Sequence, residues 1–159
     1  MILERRGAIP AFFFSNMRVA LSILAFTFAL AAYAELPVVE LSAGMHLIKA
    51  ELADTFPTRT RGLMHREKLA QNAGMLFRFD ETDVQCMWMK NTLIPLSVAF
   101  LDEAGTILNI ADMQPQTEQS HCAVRPARYA LEMNRGWFAE RGIKPGAKLR
   151  GIERLAPRR

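Results

Sequence analysis

The stretch Cys86-Met-Trp-Met-Lys-Asn-Thr-Leu-Ile-Pro95 decides how the rest of the chain is read. It starts as a strand and ends as a turn. Alternate side chains on a strand share a face, so Cys86, Trp88 and Lys90 point one way, and Met87, Met89 and Asn91 the other. Bulky apolar groups occur on both faces. That predicts a central strand over Val84 to Met89, solvated on neither side. A buried strand ending in Lys90-Asn91-Thr92 must give those polar groups partners or a pocket to line. The strand's end is therefore read as a ligand site or as a turn whose side chains satisfy local backbone groups.

The flanking segments supply the rest of a small β-rich domain. Ser97 to Leu101 is apolar on both faces, Asp102-Glu-Ala-Gly105 is a tight turn, and Thr106 to Ala111 returns antiparallel. Before the central stretch, Met75 to Phe79 is a strand and Asp80 to Asp83 an acidic loop. His46 to Leu52 alternates, with Ile48, Ala50 and Leu52 on the buried face. Val38, Val39 and Leu41 start an edge strand.

Asp54-Thr55 opens a short helix, with Thr55 as N-cap and Pro57 in the first turn. Gly62 marks the end of that helix or the close approach of another backbone. Arg59, Arg61 and Arg66 give the segment a basic side, read as a solvated face or as an anion clamp. Asp112 to Pro126 is a long irregular loop, which in a domain this small is functional or tied down. Ala127 to Met133 is a strand with Tyr129, Leu131 and Met133 inward. Asn134 caps a second short helix carrying Trp137 and Phe138, and Leu149 to Leu155 is a last strand. The sum is an α+β, mainly β domain: a closed or partly open β-barrel of about seven short strands and two short helices.

The chain has 159 residues, enough for one domain. Its net charge is +4, but Arg5, Arg6 and Arg18 against Glu4 account for half of that and leave +2 for residues 35–159. So weak and scattered a charge argues against nucleic-acid binding. Arg18, an apolar run and Ala32-Tyr33-Ala34 form the three parts of a secretory signal. Residues 1–34 are read as that signal, with 1–16 an over-called start before Met17, and cleavage before Glu35. The alternative is a membrane anchor, although the run from Val19 to Ala34 is short for a span. The expected location is periplasmic or extracellular, with membrane contact only through this segment.

Cys86 and Cys122 lie 36 positions apart, and in an oxidising compartment an even count favours a disulfide. The bridge would pin the long loop to the central strand. Met87, Met89, Met113 and His121 with the two cysteines are also soft copper ligands, but Met-x-Met is what a core strand looks like. No metal or cofactor is expected. No nucleophile elbow, zinc-protease helix or phosphate loop is present. A hydrolase or transferase would have to use Lys90, Asn91 and Thr92 with Asp54, Glu118 or His121.

Trp88-Met-Lys-Asn-Thr-Leu-Ile-Pro-Leu96 also resembles the signature of the bacterial and archaeal domain of unknown function 192 family. Ala53-Asp54-Thr55 with Arg61-Gly62-Leu63-Met64, Gly74-Met75-Leu76-Phe77, and Ala127-Arg128-Tyr129 with Glu132-Met-Asn134-Arg-Gly136-Trp137-Phe138 and Gly142-Ile143 match in order, over Leu47 to Leu155. The resemblance implies a barrel-like domain, often exported, and implies no activity. The functional expectation is an exported binding or accessory module of the cell envelope for a small molecule, carbohydrate or peptide. Its pocket is expected at Lys90, Asn91 and Thr92, walled by Trp88 and Trp137, with Arg61 as an anion contact. A hydrolase or transferase and a structural or partner-docking protein are the alternatives.

Overall fold

The computed structural model describes residues 35–155. The signal reading of residues 1–34 lies outside the described residues. Seven strands form one sheet: β1 (Val38–Ala43), β2 (His46–Ala53), β3 (Ala73–Asp83), β5 (Leu96–Leu101), β6 (Ile107–Met113), β8 (Ala127–Asn134) and β9 (Leu149–Arg150), in the order β6-β5-β8-β3-β2-β1-β9. All neighbours are antiparallel except β2 and β3, which run parallel. The crossover between those two carries helix α1 (Phe56–Arg61). At one end the sheet curls until its edges meet. Ile107 N–H donates to the Ala147 carbonyl and Leu149 N–H to that of Gly105, both at 2.9 Å, beside a bridge between Thr106 and Lys148. This is the closing barrel expected, with the Ser97–Ala111 hairpin inside it.

Two apolar clusters sit on opposite faces of the sheet. Ile48, Ala50, Leu52, Leu76, Ala99, Leu101, Leu131 and Met133 turn to the concave side, where helix α2 (Trp137–Glu140) adds Trp137 and Phe138. The alternate residues Met75, Phe77, Leu96, Val98, Phe100 and Ala130 turn outward and are covered by Leu63, Met89 and Ile94. β3, β5 and β8 are therefore apolar on both faces because both are covered, as a middle strand requires. Gly74 is needed at one such crossing. A Cβ there would run into the Met133 sulfur and stand 2.6 Å from the Glu132 carbonyl oxygen.

Helix α1 starts as its sequence predicts. Thr55 and Thr58 cap each other, Thr55 N–H donating to Thr58 Oγ1 at 3.0 Å. Gly62 ends the helix at φ 48°, the first of its two readings; what approaches it is the Phe77 ring, 3.3 Å from where a Cβ would stand, and not another backbone.

Four expectations are corrected. The stretch Val84–Met89 is not the central strand. Only β4 (Cys86–Met87) is extended, paired with β7 (His121–Cys122) in a separate two-stranded ribbon over the sheet's outer face. The middle of the sheet belongs to β8. Within the stretch Met89 alone is buried, whereas Val84 and Trp88 are exposed. Asp80 to Asp83 is not a loop but the end of β3, past a register shift against β8. Asn134 does not cap α2. Gly136, in the left-handed conformation, precedes that helix, while Asn134 Nδ2 donates to the Leu69 and Ala70 carbonyls at 3.2 and 3.1 Å. The last strand is two residues long and gives way to a 3-10 turn at Ile152–Arg154, because Gly151 at φ 101° turns the chain.

Candidate functional site

The ribbon, α1 and the end of β3 enclose a cleft of about 550 Å³ on the outer face. Leu63, Phe77, Phe79 and Met87 supply apolar walls, Trp88 stands half exposed, and Arg61, Asp80 and Glu81 are exposed among its lining residues. Arg59 is already engaged, donating to the Asp54 and Arg78 carbonyls at 2.8 and 3.0 Å and to Asp80 at 2.5 Å. The disulfide between Cys86 and Cys122 closes the ribbon, Cys86 also lining the cleft. This removes both sulfurs from the soft-ligand set and Cys122 from any thiol chemistry.

Glu132 lines the same cleft and is 3% exposed. It lies on β8, opposite Met75 of β3 and Val98 of β5. Strand alternation turns it to the outer face with Ala130, among apolar neighbours. Its carboxyl makes no hydrogen bond or ion pair with a protein group among the described residues. Burial pushes its pKa up to about 8, because an isolated carboxylate is costly to desolvate. At neutral pH the floor of the cleft therefore carries an uncharged carboxylic acid.

A second, smaller crevice of about 310 Å³ is lined by His65, Lys90, Asn91, Leu93, Gln116 and Glu118. His65, Asn91 and Gln116 have φ of 63°, 55° and 58°, and they are all the non-glycine residues with positive φ among the described residues. Three turns lock here: His65 N–H donates to the Asn91 carbonyl at 2.9 Å and Gln116 N–H to that of Thr92 at 3.1 Å. With Met89 N–H on the Thr117 carbonyl at 3.0 Å, these bonds tie down the long loop.

The quoted stretch is thus a wall between two cavities. Trp88 and Thr92 face the cleft, and Lys90 and Asn91 the crevice. Lys90 Nζ lies 5.2 Å from the Trp88 ring centre and 3.3 Å from Glu118, in an exposed pair. Arg61 joins Trp88 and Thr92 at the cleft. Trp137 is separated from them. It is buried in the concave core, its indole N–H donating to Asn72 Oδ1 at 3.1 Å. Asp54 is taken by Arg78 at 2.6 Å.

Glu132 was not among the residues the sequence singled out for ligand contact. Its signal was an acidic residue in Ala130-Leu-Glu-Met133, where apolar neighbours leave neither face free for a charge.

Comparison with known proteins places this geometry in a family. The model of the domain of unknown function 192 family, described as "Uncharacterized ACR", matches residues 38–151, and the chain belongs to that family. Two solved structures are similar. One, described as a proposed transcription regulator from Sinorhizobium meliloti 1021, is 38% identical at a TM-score of 0.67, covering 72% of this chain and 92% of that one. The other, a protein of unknown function from Novosphingobium aromaticivorans DSM 12444, is 35% identical at a TM-score of 0.71, covering 76% and 90%. Among curated proteins there is no significant match.

Proposed function

We propose that this member of the domain of unknown function 192 family is an exported binding module of the cell envelope, whose small-molecule or polymer ligand seats in the cleft over Glu132. One observation carries the reading: a nearly buried carboxyl that lines the cleft and has no partner among the described residues. Burying a polar group unpaired costs roughly 1–3 kcal/mol. A fold that tolerates such a cost at one concave site is typical of a site that a ligand completes.

Export is supported by Ala32-Tyr33-Ala34 behind an apolar run and by the disulfide, a bond rare in reducing compartments. Among the described residues no helix is long and apolar enough to cross a membrane. Mass spectrometry of protein from the envelope fraction should find Glu35 at the N-terminus. An intact chain beginning at or before Met17 would make the protein anchored instead.

The regulator description of the Sinorhizobium relative would bring a nucleic acid as partner. The net +2 over residues 35–159 and the pairing of Arg59 with Asp80 favour a ligand other than nucleic acid. A hydrolase or transferase is the second reading, favoured by the same carboxyl, since an uncharged acid near pH 7 suits general-acid chemistry.

The test is ligand-induced thermal shift on wild type and Glu132→Leu, against a panel of sugars, peptides and organic acids. A compound that stabilises the wild type and not the variant supports the cleft. Equal shifts in both proteins, or none in either, would refute it.

A further inference from the structure

We infer that the ligand group reaching Glu132 is an uncharged donor–acceptor group, a carboxamide or lactam edge, carried on an apolar or aromatic body. This rests on the cleft reading above and names the chemistry of what the cleft takes.

Glu132 is held between the apolar strands β3 and β5 and is buried except toward the cleft. The charged groups lining the cleft are Arg59, Arg61, Asp80 and Glu81. Arg59 is turned to Asp80 and to two backbone carbonyls, and Arg61, Asp80 and Glu81 are exposed. The buried polar side chains of the lining are Glu132 and Thr92, and the Thr92 hydroxyl donates to the Lys90 carbonyl at 3.4 Å, which leaves the Glu132 carboxyl for the ligand.

A protonated carboxyl presents an O–H donor and a carbonyl acceptor side by side. A carboxamide or lactam presents the complementary acceptor and donor with the same spacing. The pair closes two hydrogen bonds with no charge buried. An ammonium group would need Glu132 to ionise and would bring a second charge out of water, and the desolvation of both ions offsets most of their attraction. The neutral pair avoids both costs. The walls favour a flat apolar body, since Phe77, Phe79, Leu63 and Met87 line the cleft and Trp88 stands at it half exposed. A volume of about 550 Å³ accommodates a compound of one or two rings.

Two probes with the same body separate the alternatives: benzamide and benzylammonium, each titrated by NMR into wild type, Glu132→Gln and Glu132→Leu. Benzamide should bind wild type and Glu132→Gln within about threefold of each other, because a glutamine amide still offers a donor beside an acceptor. It should bind Glu132→Leu at least about tenfold more weakly. At pH 7 benzylammonium should bind wild type at least about tenfold more weakly than benzamide. The inference is overturned if benzylammonium binds more tightly, gains affinity from pH 6 to 8 and loses it in Glu132→Gln. That outcome would leave the cleft as a cation site. The inference also fails if benzamide binds wild type and Glu132→Leu alike, or if neither probe binds. The cleft reading falls separately, only if the thermal-shift panel also finds nothing that depends on Glu132.

Discussion

Glu132→Gln should make the protein less sensitive to alkaline pH, and the sign follows from burial. The folded-state pKa is raised from 4.5 to about 8, so between those values the folded chain holds a proton that the unfolded chain has lost. Stability is then fully present below about pH 4.5 and is lost as pH rises through 8. The slope approaches about 1.4 kcal/mol per pH unit in that window, giving a loss of roughly 3 kcal/mol by pH 7 relative to pH 5. Glutamine cannot ionise, so the variant lacks this component. The two proteins should be about equally stable at pH 5, with the variant ahead by roughly 2–5 kcal/mol at pH 8. Urea unfolding of both proteins at pH 5, 6, 7 and 8 reads the difference, in which every other titrating group cancels. Parallel stability profiles would refute the reasoning: Glu132 would then ionise normally, and the cleft floor would be wet.

Reduction of the disulfide should lower the melting temperature by on the order of 10 °C. The 36-residue separation corresponds to roughly 3–4 kcal/mol in the chain-entropy treatment. Calorimetry with and without reductant checks this, and an unchanged melting point would contradict it. Lys90→Met should change stability by less than about 1 kcal/mol in denaturant titration, because its pair with Glu118 is exposed at 45% and 65%. A loss of 3 kcal/mol or more, the figure for breaking a buried pair, would contradict that exposure. Asn91→Ala should cost about 1 kcal/mol while Asn91→Gly is neutral or stabilising, since φ is 55° and only glycine adopts it without strain. Equal unfolding midpoints for the two variants would argue against the left-handed turn.

Much of the fold was legible because its signals are local. The alternation of His46–Leu52, the Thr55 cap and the Asp102–Gly105 turn each depend on neighbours in sequence. The central stretch misled because a run that is apolar on both faces fits a middle strand and a covering ribbon equally well. Which one occurs depends on β8 taking the middle of the sheet, a long-range fact. Asn134 looked like a cap because the residue type suits capping, but Gly136 supplies the turn and frees Asn134 for the Leu69–Ala70 carbonyls. Arg61, Trp88 and Thr92 line one cleft, while Trp137 lies on the other face because α2 folds into the concave side. The polar residues of the quoted stretch drew the eye to the turn. Nothing local says that a glutamate 40 residues further on lies beneath it.

The most direct measurement is to incubate the protein with a mixed metabolite pool, pass it through gel filtration and identify retained compounds by mass spectrometry, for wild type and Glu132→Leu side by side. Glu132→Leu should fold, because it replaces a buried polar group by an apolar one of similar size. The account predicts at least one small molecule retained by the wild type and absent from the variant. An identical set from both proteins, or an empty one from both, would contradict a ligand site above Glu132.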